Sequence, residues 1–216
     1  MIVSFHQIEL SLSHHKIIYI KEFDALLIAD LHLGKTASFA RLGIALVKEE
    51  ALTTLKRFQL VLDLYQPKKC YILGDLFHNK LPENNDIDIQ FSSFLEKNSK
   101  ITFFLTLGNH DEKHYNQIQS FQLHTELFFE LGPFILSHKK SSHYKNIPTI
   151  IGHHHPGIKL KRRGFSKLTL PCFYFQDTSL ICPAFGDFTG LRLLNHNEAI
   201  KIIAIITGKN SSLYEL

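Results

Sequence analysis

Cysteine is scarce in this chain, and long apolar runs are missing. The three cysteines, Cys70, Cys172 and Cys182, show no CxxC spacing, and pairing any two leaves the third over, so neither a disulfide framework nor a cysteine-built structural zinc site is indicated. A reducing, cytoplasmic setting fits that usage. No apolar stretch approaches the ~18 residues needed to cross a bilayer, so no membrane partner is expected. Residues 1–10 carry no basic flank and are interrupted by Glu9, so no signal peptide is expected either. Internal repeats, low-complexity tracts and interdomain linkers are also lacking. Nor does one sign of charge dominate: a formal +4 permits a polyanionic partner without requiring one. With 216 residues, 44% of them hydrophobic and 18 of them phenylalanine, the chain can fill one domain spanning residues 1–216. Its 14 histidines raise the question of how many converge.

Residues 101–107 form an apolar, β-branched run that reads as a buried strand, and they deliver Gly108, Asn109, His110 and Asp111 at its tip. A carboxamide, an imidazole and a carboxylate at a strand end suggest chemistry. The alternative is a polar turn in which Asp111 caps a helix over 112–119. Four other stretches favour the chemical reading. Asp30-Leu31-His32, Gly74-Asp75, Ser137-His138 and Gly152-His153-His154-His155 each place Asp or His at or just past the end of an apolar run. In open α/β sheets such ends are where sites assemble.

The runs at 16–20 and 25–29 read as strands joined by a hairpin turn over 21–24. Side chains two apart on an extended backbone share a side, so Asp30 and His32 can grip one ion while Leu31 faces the core. An isolated DxH reads more simply as a turn aspartate and a half-exposed histidine. Lys35 and Arg41 lie in the loop beyond, where a phosphate could be met, and each reads equally as a solvated charge. Helices are predicted over 46–64 and 84–97, and a strand over 70–73 ends in Gly74-Asp75. His78 belongs either to the rim of a site or to a plain loop. Residues 121–129 and 134–136 supply core, and His138 follows a strand whereas its rivals His124 and His143 do not. By the period-two argument His153 and His155 share a side, each free to take a different ion, and His154 points away. A basic cluster follows at Lys159, Lys161, Arg162, Arg163 and Lys167, either a path for a phosphate backbone or a solvated loop. Late strands are predicted over 168–175, 179–182 and 199–207. The glycine-hinged loop 184–190 reads first as structural, packing two Phe rings.

Collected, the candidates are Asp30, His32, Asp75, Asn109, His138, His153 and His155. Oxygen and nitrogen donors without a thiolate suit hard or borderline divalent ions such as Mn²⁺, Fe²⁺ or Zn²⁺. Seven donors are too many for one ion. Two ions ~3.5–4 Å apart sharing a carboxylate would use them all, an arrangement suited to in-line displacement at phosphorus. Such a pair would lower the pKa of a trapped water and neutralise the phosphoryl oxygens. A leaving alkoxide still needs a proton, a task for His110, with Asp111 able to hold its ring.

The order DxH, GD, GNHD, H, GHxH, here Asp30-His32, Gly74-Asp75, Gly108 to Asp111, His138 and Gly152 to His155, resembles the calcineurin-like metallophosphoesterases. Longer strings, Ile28-Ala29-Asp30-Leu31-His32-Leu33-Gly34-Lys35, Gly74-Asp75-Leu76-Phe77-His78, Pro171-Cys172-Phe173 and Pro183-Ala184-Phe185-Gly186, are similar to the ligase-associated, PdeM-type subgroup. The resemblance implies an α/β fold, a four-layer αββα sandwich of two mixed β-sheets. It implies a first ion held by Asp30, His32, Asp75 and His155, with Asp75 bridging, and a second completed by Asn109, His138 and His153. It places His110 against the scissile phosphate, oriented by Asp111. It implies a manganese-dependent phosphodiesterase associated with DNA repair genes, hence a DNA or RNA substrate and ligase-linked repair proteins as partners. His78, Arg162 and Arg163 join Lys35 and Arg41 as candidate substrate contacts. Two departures bear on substrate placement alone: Leu191 stands where the subgroup has a second glycine of FTGG, and Asn79 where serine follows the histidine of GDxFH. The alternatives are a phosphomonoesterase or nucleotide phosphatase on the same site, and a scaffold that lost the chemistry. The scaffold is disfavoured because every ligand position is filled, and buried polar groups are costly to keep without metal.

Overall fold

A computed structural model describes residues 1–35, 50–78, 86–160, 168–187, 189–208 and 210–216. The first sheet takes β1 (Ile2–Phe5), β2 (Ile8–Ser13), β3 (Ile17–Ile20), β4 (Ala25–Ile28), β5 (Lys69–Ile72), β6 (Thr102–Thr106) and β7 (His124–Glu126), in that spatial order. The pairs from β1 to β4 are antiparallel, and those from β4 to β7 are parallel. The second sheet takes β8 (Phe128–Leu131), β9 (Phe134–Ser137), β10 (Thr149–Ile151), β11 (Pro156–Leu160), β12 (Leu168–Gln176), β13 (Ser179–Ile181), β14 (Arg192–Leu193), β15 (Lys201–Ile206) and β16 (Ser212–Glu215). Its order is β14-β11-β12-β13-β10-β9-β8, with β15 and β16 added through β12, and β9, β10 and β13 run parallel.

The central strands read as unbroken apolar runs because both of their faces are covered. Along β4 and β5, Leu26, Ile28, Cys70 and Ile72 face outward, where they meet Leu55, Phe58, Val61 and Leu62 of α1 (Glu50–Tyr65) and Phe91, Phe94 and Leu95 of α2 (Asp86–Lys97). Their alternates, Ala25, Leu27, Ala29, Tyr71 and Leu73, face inward onto Leu136, Ile150, Phe173, Phe175, Leu180 and Ile203 of the second sheet. That inter-sheet layer is the central core. Beyond the second sheet, Ile151, Ile158, Leu170, Tyr174 and Ile202 pack under Leu194 and Ala199, which flank the single 3₁₀ turn His196–Glu198. The outer layer is therefore thin on that side. Three free cysteines lie buried, and among the described residues no helix is long and apolar enough to cross a membrane.

Several sequence expectations shift. The helix expected over 112–119 is a 3₁₀ turn, Asp111–His114, followed by one helical turn, α3 (Tyr115–Ile118). Asp111 does not cap it, because its carboxylate is engaged elsewhere. Within 121–129 only part is core: Phe121 is buried while Leu127 and Phe128 are exposed. The hairpin β1–β2 carries no Asn-Gly signal; His6 and Gln7 adopt its two left-handed turn positions instead, with φ 46° and 69°. The starts of the helices expected at 46 and 84 lie outside the described residues.

Candidate metal centre

The parallel strands end level. Ile28, Ile72 and Leu105 are register partners in the first sheet, and Ser137, Ile151 and Ile181 in the second. The segments leaving β4, β5, β6, β9 and β10 therefore emerge at one end of the sandwich, carrying Asp30 and His32, Asp75, Asn109 and His110, His138, and His153 and His155. Two clusters with a carboxylate form there, and a third group, His32, His78 and His110, shares His32 with the first. Asp30, His32 and His155 offer ligand atoms within 4.8 Å of one another, and so do Asp75, His138 and His153. Asp75 faces both: its Oδ2 lies 3.7 Å from His32 Nε2, and its Oδ1 lies 3.5 Å from His138 Nε2. The Asn109 carbonyl oxygen joins the second cluster, 3.2 Å from His138 Nε2. His124, in β7, and His143, in a surface 3₁₀ turn, stay outside both clusters.

The backbone reaches this arrangement by a route the period-two argument did not anticipate. Asp30, His32, Asp75, His153 and His155 all have left-handed backbones, with φ 52°, 47°, 51°, 66° and 44°. Each costs about 1–2 kcal/mol for a residue with a Cβ, and such strain persists where surrounding bonds over-determine it. Here His32 N donates to Asp75 O at 2.9 Å, Asp30 N to Gly74 O at 3.2 Å, and His153 N to Asp30 Oδ2 at 2.9 Å. His153 and His155 serve different clusters, but through alternating turn conformations and not through a shared strand face. Two glycines admit the ligands. A Cβ on Gly74 would lie 2.1 Å from His138 Nδ1, and one on Gly108 would lie 2.1 Å from Asp75 Oδ1.

Main-chain carbonyls set the tautomers. His138 Nδ1 donates to Leu73 O at 3.1 Å and His155 Nδ1 to Thr189 O at 3.1 Å, so both Nε2 atoms carry lone pairs into the site. There His138 Nε2 meets His153 Nδ1 at 3.1 Å, and His155 Nε2 meets His32 Nε2 at 3.3 Å. Imidazole nitrogens gathered around two carboxylates, Asp30 0% and Asp75 2% exposed, form a buried set of donors that divalent cations fit. Burial, and then His155, holds His32 down to about 2, and burial, and then His138, holds His153 down to about 4. Both rings are thus neutral and available as ligands at neutral pH. His155 is raised: burial opposes its charge, but Asp30 and the Thr189 carbonyl outweigh it.

His110 and Asp111 divide labour differently from expectation. The His110 ring is held by His78, whose carbonyl accepts from Nδ1 at 2.5 Å and whose ring stacks at 5.0 Å. Asp111, fully buried, makes its side-chain hydrogen bonds elsewhere. Its oxygens accept from the backbone N–H groups of Asp75 at 2.7 Å, Leu76 at 2.9 Å and Gly108 at 2.9 Å, so it fastens two ligand turns together. Burial pushes it up to about 7 against those three donors. His78 also approaches His32, Nδ1 to Nδ1, at 3.3 Å, which places it in the scaffold of the site as well as at its rim. The charge of Lys35 is felt by His32, His78 and His155, whereas Arg41, Arg162 and Arg163 lie outside the described residues. Sequence reasoning missed the floor of the site: Phe185 N donates to Ala29 O at 2.8 Å and Gly186 N to Asp30 O at 3.0 Å. Gly186 was the available signal, since a Cβ there would lie 2.2 Å from Leu31 O.

The family model for calcineurin-like phosphoesterases matches residues 24–203, a span that contains every one of these candidate ligands. The chain is a calcineurin-like phosphoesterase. This phosphoesterase superposes on the nuclease MPE of Pseudomonas putida with a TM-score of 0.82 and 27% identity, over 94% of this chain and 96% of that one. A protein of unknown function from Aquifex aeolicus, AQ665, is 18% identical over 65% of this chain and 81% of its own, with a TM-score of 0.43. YfcE, a phosphoesterase from E. coli, is 15% identical over 89% and 97%, with a TM-score of 0.45. Those two similarities are too loose to carry further weight. No curated protein matches the chain. The two mixed sheets with their helices are those of the calcineurin-like phosphoesterase fold.

Proposed function

We propose that this phosphoesterase is a dinuclear phosphodiesterase acting on nucleic acid. The observation that carries the reading is Asp75, with one oxygen turned to each cluster, 3.7 Å from His32 and 3.5 Å from His138. In this reading Asp30, His32, Asp75 and His155 hold one cation, and Asp75, Asn109, His138 and His153 hold the other. When bound, paired divalent cations neutralise phosphoryl oxygens and acidify a water near neutral pH. The donor set, all oxygen and nitrogen, favours manganese, with iron or zinc as the other fits.

The protein's own part is positional and protonic. The His78 carbonyl fixes Nδ1–H of His110 and so points Nε2 into the site, 4.0 Å from Asp75 Oδ2. From that position Nε2, when it carries a proton, can pass it to the leaving alkoxide oxygen. Asp111 acts on the metal turns and not on that ring, and Lys35 stands beside His32 and His155 as a contact for the phosphate. A polynucleotide substrate is supported by the likeness to a Pseudomonas nuclease over 94% of the chain. A place in DNA repair within the ligase-associated subgroup and association with ligase-linked repair proteins follow from the sequence resemblance, and a cytoplasmic setting from the cysteine usage.

Metal analysis of the purified protein, followed by rates with Mn²⁺ on bis-p-nitrophenyl phosphate, p-nitrophenyl phosphate and DNA strands, tests this. Two metals per chain with diesters preferred supports the reading. Preference for the monoester moves the assignment to a phosphatase on the same site, and a chain that takes up no metal overturns it.

A further inference from the structure

Beside the metal centre lies a cleft of about 480 Å³ that the reading above leaves unused. Its position follows from the topology. β3 runs antiparallel to β4, with Ile18 opposite Leu27, so the turn before β3, His14-His15-Lys16, emerges at the end of the sheet where Asp30 sits. Arg57 of α1 and Thr207 after β15 line the cleft as well, and Thr189 closes it on the metal side. Thr189 belongs to both places, since its carbonyl accepts from His155 Nδ1 at 3.1 Å. Cleft and metal centre thus share a wall one residue thick.

The cleft's charge is unbalanced. Among the described lining residues the one acid, Asp187, is taken by Arg57, whose Nη1 lies 2.8 Å and 3.0 Å from the two carboxylate oxygens. Arg57 also donates to the Phe185 carbonyl and lies 4.2 Å above the Phe185 ring, so much of its work is to hold Phe185 and Asp187. That leaves the Lys16 ammonium facing the cleft with no carboxylate within 4.0 Å among the described residues. Burial first, and then Arg57, lowers Lys16 to about 8, with Asp187 opposing them only in part. A cation disfavoured in this way gains most when an anion docks beside it. Imidazoles and the Thr207 hydroxyl add donors, and the volume falls in the range of small-ligand pockets. Ammonium, imidazole and hydroxyl together are the chemistry that contacts phosphate oxygens along a nucleic-acid backbone.

We infer that this cleft is a second phosphate subsite, in which Lys16 and the His14-His15 turn take a phosphodiester group of the same strand, beyond the one at the metals. The inference rests on the nucleic-acid reading of the metal centre and gives it a direction: the strand crosses the Thr189 wall toward Lys16. The test uses Lys16→Asn, because Asn tolerates the left-handed backbone of Lys16, φ 66°. Thr207→Glu, an exposed change that brings repulsion to the cleft mouth, is the second variant, and Lys69→Gln, at the opposite end of β5, is the control. Binding of a fluorescein-labelled, hydrolysis-resistant phosphorothioate single strand is followed by anisotropy against salt.

Loss of one phosphate contact should flatten the log–log salt slope by about 0.7, which over the decade from about 1 M to about 0.1 M salt is about fivefold in affinity. Lys16→Asn is expected to show that change, and Thr207→Glu a loss of the same sign. The ratio of oligonucleotide to bis-p-nitrophenyl phosphate turnover should fall with them, since the small diester cannot reach the cleft. If both variants bind like Lys69→Gln while wild type still cleaves DNA, the subsite is wrong and the nuclease reading stands. If wild type binds strands but hydrolyses none, the nuclease reading fails and the cleft is judged on binding alone. If wild type cleaves the small diester yet neither binds nor cleaves DNA, both fall.

Discussion

Asp75 is a single side chain shared between two clusters, and its replacement should be felt by both. Asp75→Asn keeps the shape but supplies a neutral oxygen to one side and an amide N–H to the other. Metal content is expected to drop below two per chain, with turnover falling on the order of a hundredfold or more, as for loss of a main electrostatic stabiliser. Two tightly held metals with undiminished rate in that variant would remove the bridging role. His110 sits differently: tied to the His78 carbonyl, it gathers with His32 and His78 and not with a carboxylate. His110→Ala is expected to keep both metals and lose about 10²–10⁴-fold on DNA. The loss should be far smaller on bis-p-nitrophenyl phosphate, whose nitrophenolate leaves without a proton. Equal losses on the two substrates would mean that His110 does something other than protonate the leaving oxygen.

At the scale of elements, the turns after β5 and β6 are joined by one buried carboxylate. Asp111 accepts three backbone hydrogen bonds from Asp75, Leu76 and Gly108, and none of those N–H groups has water to fall back on if the carboxylate goes. Leaving such donors unmet costs about 1–3 kcal/mol each, less than additively. Asp111→Ala should therefore lower unfolding stability by about 3–5 kcal/mol, read by urea denaturation of the metal-free protein, and should weaken metal binding indirectly. A change within about 0.5 kcal/mol would show that these turns hold without it. This role was hidden from sequence because the partners are main-chain groups, which every residue has. The same applies to the Leu73 and Thr189 carbonyls that fix His138 and His155.

For the whole molecule, candidate ligands drawn from residues 30 to 155 would make metal binding and folding one equilibrium. Cations that bind only the folded chain add about 2.7 kcal/mol per site at a hundred times Kd, or about 5–10 °C for a chain of this size. Chelation should lower the melting temperature by that amount per vacated site, and a melt indifferent to EDTA and manganese would deny the coupling. The metal-free protein should also weaken in acid. His32, His78 and His153 are held at about 2, 4 and 4, His78 chiefly by burial, so between pH 6.5 and about 4 the unfolded chain takes up three protons that the folded chain refuses. Asp111, pushed up to about 7, binds one proton in the folded state over that window, and His155 is charged in both states below 6.5. The balance is two protons toward the unfolded state, so stability falls as pH drops from 6.5 to 5. A melting temperature that rises over that interval in EDTA would contradict these assignments.

The sequence by itself determined which chemistry gathers and roughly where: donors of hard-metal type stand one step beyond apolar runs, because a buried strand must be apolar and its end is the first place a polar side chain is tolerated. The strands ending before Asp30, Asp75, Asn109 and His153 were legible for that reason, as was the preference for His138 over His124 and His143. Only the tertiary structure decided how the ligands are aimed. Five left-handed residues, the Asp111 clamp, the His78 carbonyl behind His110 and the floor at Phe185 and Gly186 all depend on main-chain groups brought together from distant segments. Backbone N–H and C=O groups are the same in every residue, so their pairing leaves no mark in the order of side chains and is settled only when the two sheets close on each other.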